Sequence, residues 1–388
     1  MKLFKSLFSL CAIIGLLVSL TGCPTVAIRE ESKNPQGMVN FTFFDTVSYV
    51  YSYAGDSQEA FEANGNGVFE ILGEYHKLFD IYYEHSEVTN IRTLNLNAGG
   101  DAMVVDEKLI DFLLYAKELY ETTDGEMNIM MGSVLSLWHD AREAGTFKGL
   151  YCSYCRKFSP VENCVDNKCP QNDPDSSSGS GAKCQRPVVT FEEELAERAK
   201  HTDFSSLVID TENNTVRITD PNASIDVGAL GKGYATEKAA KYLESIGAES
   251  YVLNIGGNIR IIGTKTDGSG WGTGIKDPNN EDQYAVTLTL ANTSCVTSGD
   301  YERFFAVDGK RYHHIIDKDT LMPSAHFSSV TIITPDSGLA DALSTALFSM
   351  SYEDGLALVD KIGNVDVIWI THDGTKYYTA GIENLIKK

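Results

Sequence analysis

From Ser224 to the C-terminus the chain alternates β-rich runs with amphipathic helical segments, and this alternation constrains the fold more than any other feature. Ser224 to Val227 reads as a strand entering a turn that holds Gly228, Gly231 and Gly233. A helix is expected from about Gly233 to Ile246, because Tyr234, Ala235, Ala239, Tyr242, Leu243 and Ile246 form one apolar stripe and Gly247 is a natural stop. Strands are expected near 251–264, 284–290, 302–307, 311–316 and 328–334, then helices at about 338–350 and 353–362 and a final strand pair. This mixture predicts an α+β fold rather than a simple doubly wound sheet.

The N-terminal half carries a strand at 41–53, where aromatic and β-branched residues crowd together. Ser57 to His85 reads as helical with an interruption at Gly65-Asn66-Gly67, and Asp106 caps a helix ended by Thr122-Thr123-Asp124-Gly125. A further helix is expected over Ile129 to Ala144, a capping box at Thr190 and Glu193, and a hairpin around Asn213-Asn214 within 206–219. Between them, Tyr151 to Pro187 has almost no apolar periodicity and gathers Cys152, Cys155, Cys164, Cys169 and Cys184, as a surface insertion would.

Residues 1–22 read as an export leader: Lys2 and Lys5 precede an apolar stretch from Leu7 to Leu20 that is short for a stable membrane span. Leu20-Thr21-Gly22-Cys23 resembles a bacterial lipobox, which makes Cys23 the lipid attachment point and 23–40 a tether before a body at 41–380. The localisation expected is therefore the extracytoplasmic face of a bacterial membrane. Losing Lys2 and Lys5, with no acid in that segment, takes the formal charge from -22 to -24. With 54 Asp and Glu against 32 Lys and Arg, a nucleic-acid partner is disfavoured. A polyanionic small ligand would need a metal ion, backbone amides or one well-placed cation.

Four segments carry chemistry. Asp226 to Gly233 offers backbone amides and Lys232 to phosphate oxygens, although such turns also arise for steric reasons alone. Asn254-Ile255-Gly256-Gly257-Asn258 fits either a bulge or close backbone approach to a ligand. Thr297 to Arg303 is followed by His313 to Asp319, in which His314 and Asp317 are spaced so that a tight turn would pair imidazole with carboxylate. A general base is preferred there over zinc, since no third His or Cys lies at ligand spacing. Asp341 and Thr345, at i and i+4 on one helix face, offer oxygens to a hard cation, or Asp341 simply complements the helix dipole.

In this order the segments resemble the ApbE family, the FAD:protein FMN transferases. The matching pieces are Phe44-Asp45-Thr46, Asp226 to Gly233, Gly256-Gly257, Ser298 to Arg303, His314 to Thr320 and Asp341 to Thr345, with weaker echoes at Ser86 to Asn95 and Asp124 to Asn128. The resemblance implies a two-lobed, T-fold-related α+β architecture with mixed or antiparallel sheets and flanking helices. It implies FAD as substrate, Mg2+, and transfer of FMN to a threonine hydroxyl of a partner bearing a Ser/Thr-Gly-Ala-Ser/Thr motif, with release of AMP. Metal ligands would be Asp341, Thr345 and the Ala229 carbonyl; His314 would be the base, with Asp317 beside it. Phe44, Glu126, Met127, Asn128, Asp226, Lys232 and Ile316 would contact the flavin nucleotide.

The chain departs from the family pattern at Lys318 and Leu321, where proline and glycine are usual, and at Asn128 and Met130. Two rivals remain: an FAD pyrophosphatase using the same site, and a non-catalytic exported flavin-binding lipoprotein. The insertion cysteines are expected to form disulfides rather than a zinc knuckle, with one left unpaired or joined to Cys295.

Overall fold

The computed structural model describes residues 35–153, 155–159 and 188–387, together with the short strand Val26–Ile28. The leader, Cys23, Cys164, Cys169 and Cys184 lie outside the described residues, and so do the expectations placed on them.

The centre is an eight-stranded sheet in the order Lys376–Tyr378, Asp366–Ile370, Ser329–Thr334, Ser294–Gly299, Asn258–Ile262, Tyr251–Ile255, Ser48–Ser52, Gln36–Asn40. Every neighbouring pair in it is antiparallel. Tyr251–Ile255, Asn258–Ile262 and Ser329–Thr334 are buried along their whole length, because both faces are covered and alternate residues serve different layers. Val252, Ile259, Ile261, Cys295, Ile333, Ile368 and Ile370 face a three-stranded sheet of Val26–Ile28, Trp271–Asp277 and Asn280–Leu290. The intervening Tyr251, Leu253 and Ile255 join the core that includes the Gly231–Ser245 helix. Val296, Val330, Ile332, Val367 and Trp369 join the core of the Ser337–Ser349 and Tyr352–Ile362 helices. The result is an α+β protein, layered helix, sheet, sheet.

The remaining elements build onto the helical side. The Gln58–Phe79 and Glu107–Thr122 helices share the core of the Gly231–Ser245 helix. The Gly132–Ala144 helix anchors a separate aromatic cluster of Trp138, Phe147, Phe191, Phe305 and Tyr312.

Several expectations change. The expected strand at 41–53 shortens to Ser48–Ser52 behind a turn, and Gln36–Asn40, expected in the tether, pairs with it as the sheet's edge. The Gln58–Phe79 helix runs unbroken through Gly65 and Gly67. A Cβ on Gly67 would stand 2.3 Å from the Tyr242 hydroxyl, so this glycine serves close packing rather than a break. Gly256 and Gly257 form no bulge but split the strand expected at 251–264; both have positive φ (56° and 93°) and reverse the chain between two paired strands. Cys295 is a free thiol at the centre of the sheet and is not joined to the insertion. Ser224 makes only an isolated parallel bridge to Met131, and the helix expected from Ile129 begins at Gly132.

Candidate functional site

The site forms where the Gly231–Ser245 and Ser337–Ser349 helices meet. At Gly233 a Cβ would stand 2.3 Å from the Ser337 carbonyl and 2.4 Å from Asp341 Cβ. Glycine therefore lets the Gly233 N–H donate to Asp341 Oδ2 at 2.8 Å. A buried bridge fixes the same junction: Glu237 Oε2 accepts from Ser337 N at 2.9 Å and from Arg260 Nε at 3.1 Å. Asp341 is only 6 % exposed. Burial pushes its carboxyl above the ordinary range, opposed by Lys232, the Gly233 N–H and the Asn258 side chain. Asn258 is itself buried, and its Oδ1 has no hydrogen-bond partner. Thr345 lies one turn beyond Asp341 and is partly buried.

The glycine turn leads into this junction. Asp226 Oδ1 accepts from Gly228 N at 2.8 Å, while Lys232 Nζ reaches back to the Gly228 carbonyl at 3.4 Å. Burial raises the Asp226 carboxyl, against the Gly228 N–H, Arg303, His139 and Lys232. Its backbone is held by Ile129, whose carbonyl accepts from Asp226 N at 2.8 Å. That contact brings the 126–130 segment beside the turn. Ala229 is partly buried against the core.

His314 sits among cations. Its Nδ1 is buried without a hydrogen-bond partner. Burial holds its pKa well below the ordinary histidine value, helped by the charges of Arg303, His313, Lys232 and Arg142. The ring is thus neutral at physiological pH and able to accept a proton. The expected His314–Asp317 pair is not formed. Asp317 Oδ1 instead accepts from Asp319 N (2.9 Å), Thr320 N (2.7 Å) and Thr320 Oγ1 (3.0 Å). Free amides in the tight turn compete for the carboxylate and win, so Asp317 shapes the loop that presents His314.

The other expected contacts divide. Glu126 is partly buried and pairs with Lys318 at 3.2 Å, which ties its segment to the His314 loop. Burial raises the Glu126 carboxyl and Lys318 opposes it. The Met127 side chain is in the core, and Asn128 spends its amide on the Thr202 carbonyl (2.9 Å) and on Met130 N (2.8 Å). Phe44, at a φ of 53°, stacks edge-on against His76 at 5.6 Å in a turn covering Gly256. Ile316 is partly buried and bridges Pro323.

This ordered set of turn, base loop and acidic helix matches a known pattern: the ApbE family matches residues 44–369. The chain belongs to the ApbE family. Among relatives, the FAD:protein FMN transferase of Treponema pallidum is 30 % identical over 330 residues, covering 82 % of this chain and 80 % of that one. The FAD:protein FMN transferase of Vibrio cholerae is 28 % identical and covers 96 % of each chain. In structure, the ApbE protein of Thermotoga maritima superposes with a TM-score of 0.71 at 25 % identity, covering 92 % of this chain and all of that one. The flavin transferase ApbE of Vibrio cholerae shares the fold, with a TM-score of 0.67 at 24 % identity over 91 % of this chain and 99 % of that one.

Sequence reasoning assigned no role to Asn258, Arg142 or Arg303, which this ApbE-family site brings to the same place. Arg142 and His139 lie three apart on the polar face of a helix whose other face buries Val134, Leu137, Trp138 and Ala141, a spacing that marks a lining face. Arg303 closes the quoted Thr297–Arg303 segment at a left-handed φ of 43°. Neither arginine has an ion-pair partner among the described residues. For Asn258 the sequence carries no signal beyond its place after the glycine pair.

Proposed function

We propose that this chain moves FMN from FAD to a threonine hydroxyl of an exported partner protein, with Mg2+ as the assisting metal and AMP as the leaving product. Transfer of FMN from FAD to a protein is the activity named for its relatives. The observation that carries the mechanism is the buried, unpartnered His314 Nδ1, whose charged neighbours Lys232 and Arg303 are also neighbours of Asp341.

The acceptor hydroxyl is a poor nucleophile while protonated, and His314 takes its proton as the oxygen attacks the FMN phosphorus. The bond between that phosphorus and the bridging oxygen breaks, and the bridging oxygen leaves with AMP. One threonine hydroxyl and one FAD become one FMN phosphoester and one AMP. Lys232 would offset diphosphate charge, with Arg142 and Arg303 adding to that field. Most of the glycine-turn amides are instead spent within the chain: Gly228 on Asp226, Leu230 and Gly231 on the Val227 carbonyl, and Gly233 on Asp341.

The residues suit a hard cation. All the donors are oxygens: the buried Asp341 carboxylate, the Thr345 hydroxyl and the Ala229 carbonyl, with the unpartnered Asn258 Oδ1 close by. When bound, Mg2+ would neutralise diphosphate charge that an acidic chain otherwise repels. The leader pattern ending at Cys23 supports a lipid-anchored protein on the extracytoplasmic face.

The test is a reaction of leaderless protein with FAD, Mg2+ and a domain bearing Thr-Gly-Ala-Thr. Flavin fluorescence on the denatured acceptor, absent with His314→Ala, is expected. Free FMN and AMP without labelling would replace this reading with a pyrophosphatase.

A further inference from the structure

Adjoining the His314 loop lies a cavity of about 270 Å³. It opens between the hairpin of Phe305–Val307 and Lys310–Tyr312, the 322–325 loop and His372. His313 lines it and is nearly buried, its Nε2 donating to the Ser324 carbonyl at 2.9 Å. The next residue in the chain is the base itself. Consecutive Cα atoms are about 3.8 Å apart, so a few extended residues span the distance from this cavity to His314.

The rim is cationic on a chain of formal charge -22. Lys310 and Arg311 are exposed, and neither has a carboxylate partner among the described residues. Each rests over an aromatic ring: Lys310 over Tyr312 at 5.3 Å, and Arg311 over Phe304 at 5.4 Å. Asp300, the acid that also lines the cavity, is committed elsewhere. Its carboxylate accepts from Ser328 Oγ at 3.3 Å and lies 3.4 Å from His372 Nδ1. Met322, Pro323 and Ala325 supply apolar surface between these charges. The hairpin wall is held rigid by Tyr312, which packs on Phe147 at 4.9 Å and Trp138 at 6.1 Å.

We infer that this cavity docks the acceptor protein through an acidic segment flanking the hydroxyl to be modified. The inference rests on the transferase reading. Two unpaired cations beside apolar surface select acidic side chains on an extended segment, and the loop they border carries the base to which that segment must deliver its hydroxyl. The overall negative charge does not forbid it. At physiological salt the Debye length is about 8 Å, so distant acids are screened while the rim contacts are not. Charge at such a rim acts mainly on encounter and register, so its loss is expected in acceptor KM rather than in kcat.

The test uses labelled peptides with a Thr-Gly-Ala-Thr core flanked by glutamates, by Ser and Gly, or by lysines. Anisotropy titrations compare wild type, Lys310→Glu/Arg311→Glu and the milder Lys310→Gln/Arg311→Gln. The glutamate-flanked peptide is expected to bind about tenfold or more tighter than the Ser/Gly one, a preference lost in both variants while FAD binding is unchanged. His314→Ala should keep the preference and transfer nothing. Equal binding of all three peptides, or an acceptor KM unmoved by both variants while transfer proceeds, would overturn the docking site and leave the transferase reading standing. Acidic-peptide binding that depends on Lys310 and Arg311 without any transfer would support the surface and sink the transferase reading. Preferential binding of phosphatidylglycerol vesicles or inorganic phosphate, lost in the same variants, would overturn the assignment to an acceptor protein.

Discussion

Replacing Gly233 with Ala sets two opposed effects against each other. Helix propensity alone favours Ala over Gly by about 1 kcal/mol in a helix interior. The structure predicts the opposite sign, because the new Cβ would stand 2.3 Å from the Ser337 carbonyl and 2.4 Å from Asp341 Cβ. Both neighbours are backbone or backbone-near atoms of a helix packed on the main sheet, so relief requires the two helices to separate. Overpacking of this kind costs about 1–3 kcal/mol. Separation also stretches the 2.8 Å bond from Gly233 N to Asp341, and a hydrogen bond to a charged group is worth about 1.5–3 kcal/mol. Net destabilisation of about 1.5–5 kcal/mol remains after the propensity gain. Urea unfolding of wild type and variant measures it as a lower midpoint at constant slope, and a Mg2+ titration of FMN transfer should show a weaker metal requirement site. A variant as stable as wild type or more so, with unchanged Mg2+ dependence, would refute the claim that the helix crossing at Gly233 builds the acidic site.

His314 predicts a pH dependence of stability. Its folded pKa lies well below 6.5, so between that value and 6.5 the unfolded chain binds a proton that the folded chain does not. Stability therefore falls as pH drops below 6.5 and is flat above it on this account; urea midpoints of His314→Gln should lose that part of the fall. The raised carboxyl of Asp341 works the other way, its stabilising share present at low pH and lost as pH rises through the folded value. Asp341→Asn should accordingly raise the metal-free urea midpoint at neutral pH, and the rise in midpoint expected for wild type on adding Mg2+ should be absent. Leu321 holds a φ of 60°, so Leu321→Gly should change stability by less than about 1 kcal/mol, whereas β-branched Leu321→Val should lose about 1–3 kcal/mol more by the same assay. Burial pushes the Cys295 thiol up to about 12, and a thiol reagent should leave it unmodified in native protein and label it in urea.

Much of the helical layer was legible because its signals are local. The apolar stripe from Tyr234 to Ile246, the box at Thr190 and Glu193, and the Asp106 cap act within a turn or two, and the helices sit within a few residues of expectation. What failed were signals with two local meanings. Gly65 and Gly67 look like a break, yet they are there for Met38 and Tyr242, which are distant in sequence. Gly256-Gly257 looked like a bulge because periodicity cannot distinguish one long strand from two strands reversing at a turn. The site divides in the same way. His314, Asp341 and the glycine turn stand out as motifs, whereas Asn258 and Arg142 become site residues only when strands and helices are packed together. Asp317 shows the limit of spacing arguments: the distance from His314 suited a pair, but the amides of its own turn were nearer.

His314 and the Asp341 junction are proposed to transfer FMN from FAD onto a protein hydroxyl. Intact-mass spectrometry of a purified acceptor domain, incubated with the leaderless chain, FAD and Mg2+, tests it most directly. An acceptor heavier by one FMN less water, one AMP formed per label, and neither product with His314→Ala are expected. Stoichiometric FMN and AMP with an unmodified acceptor, or full labelling by His314→Ala, would contradict it.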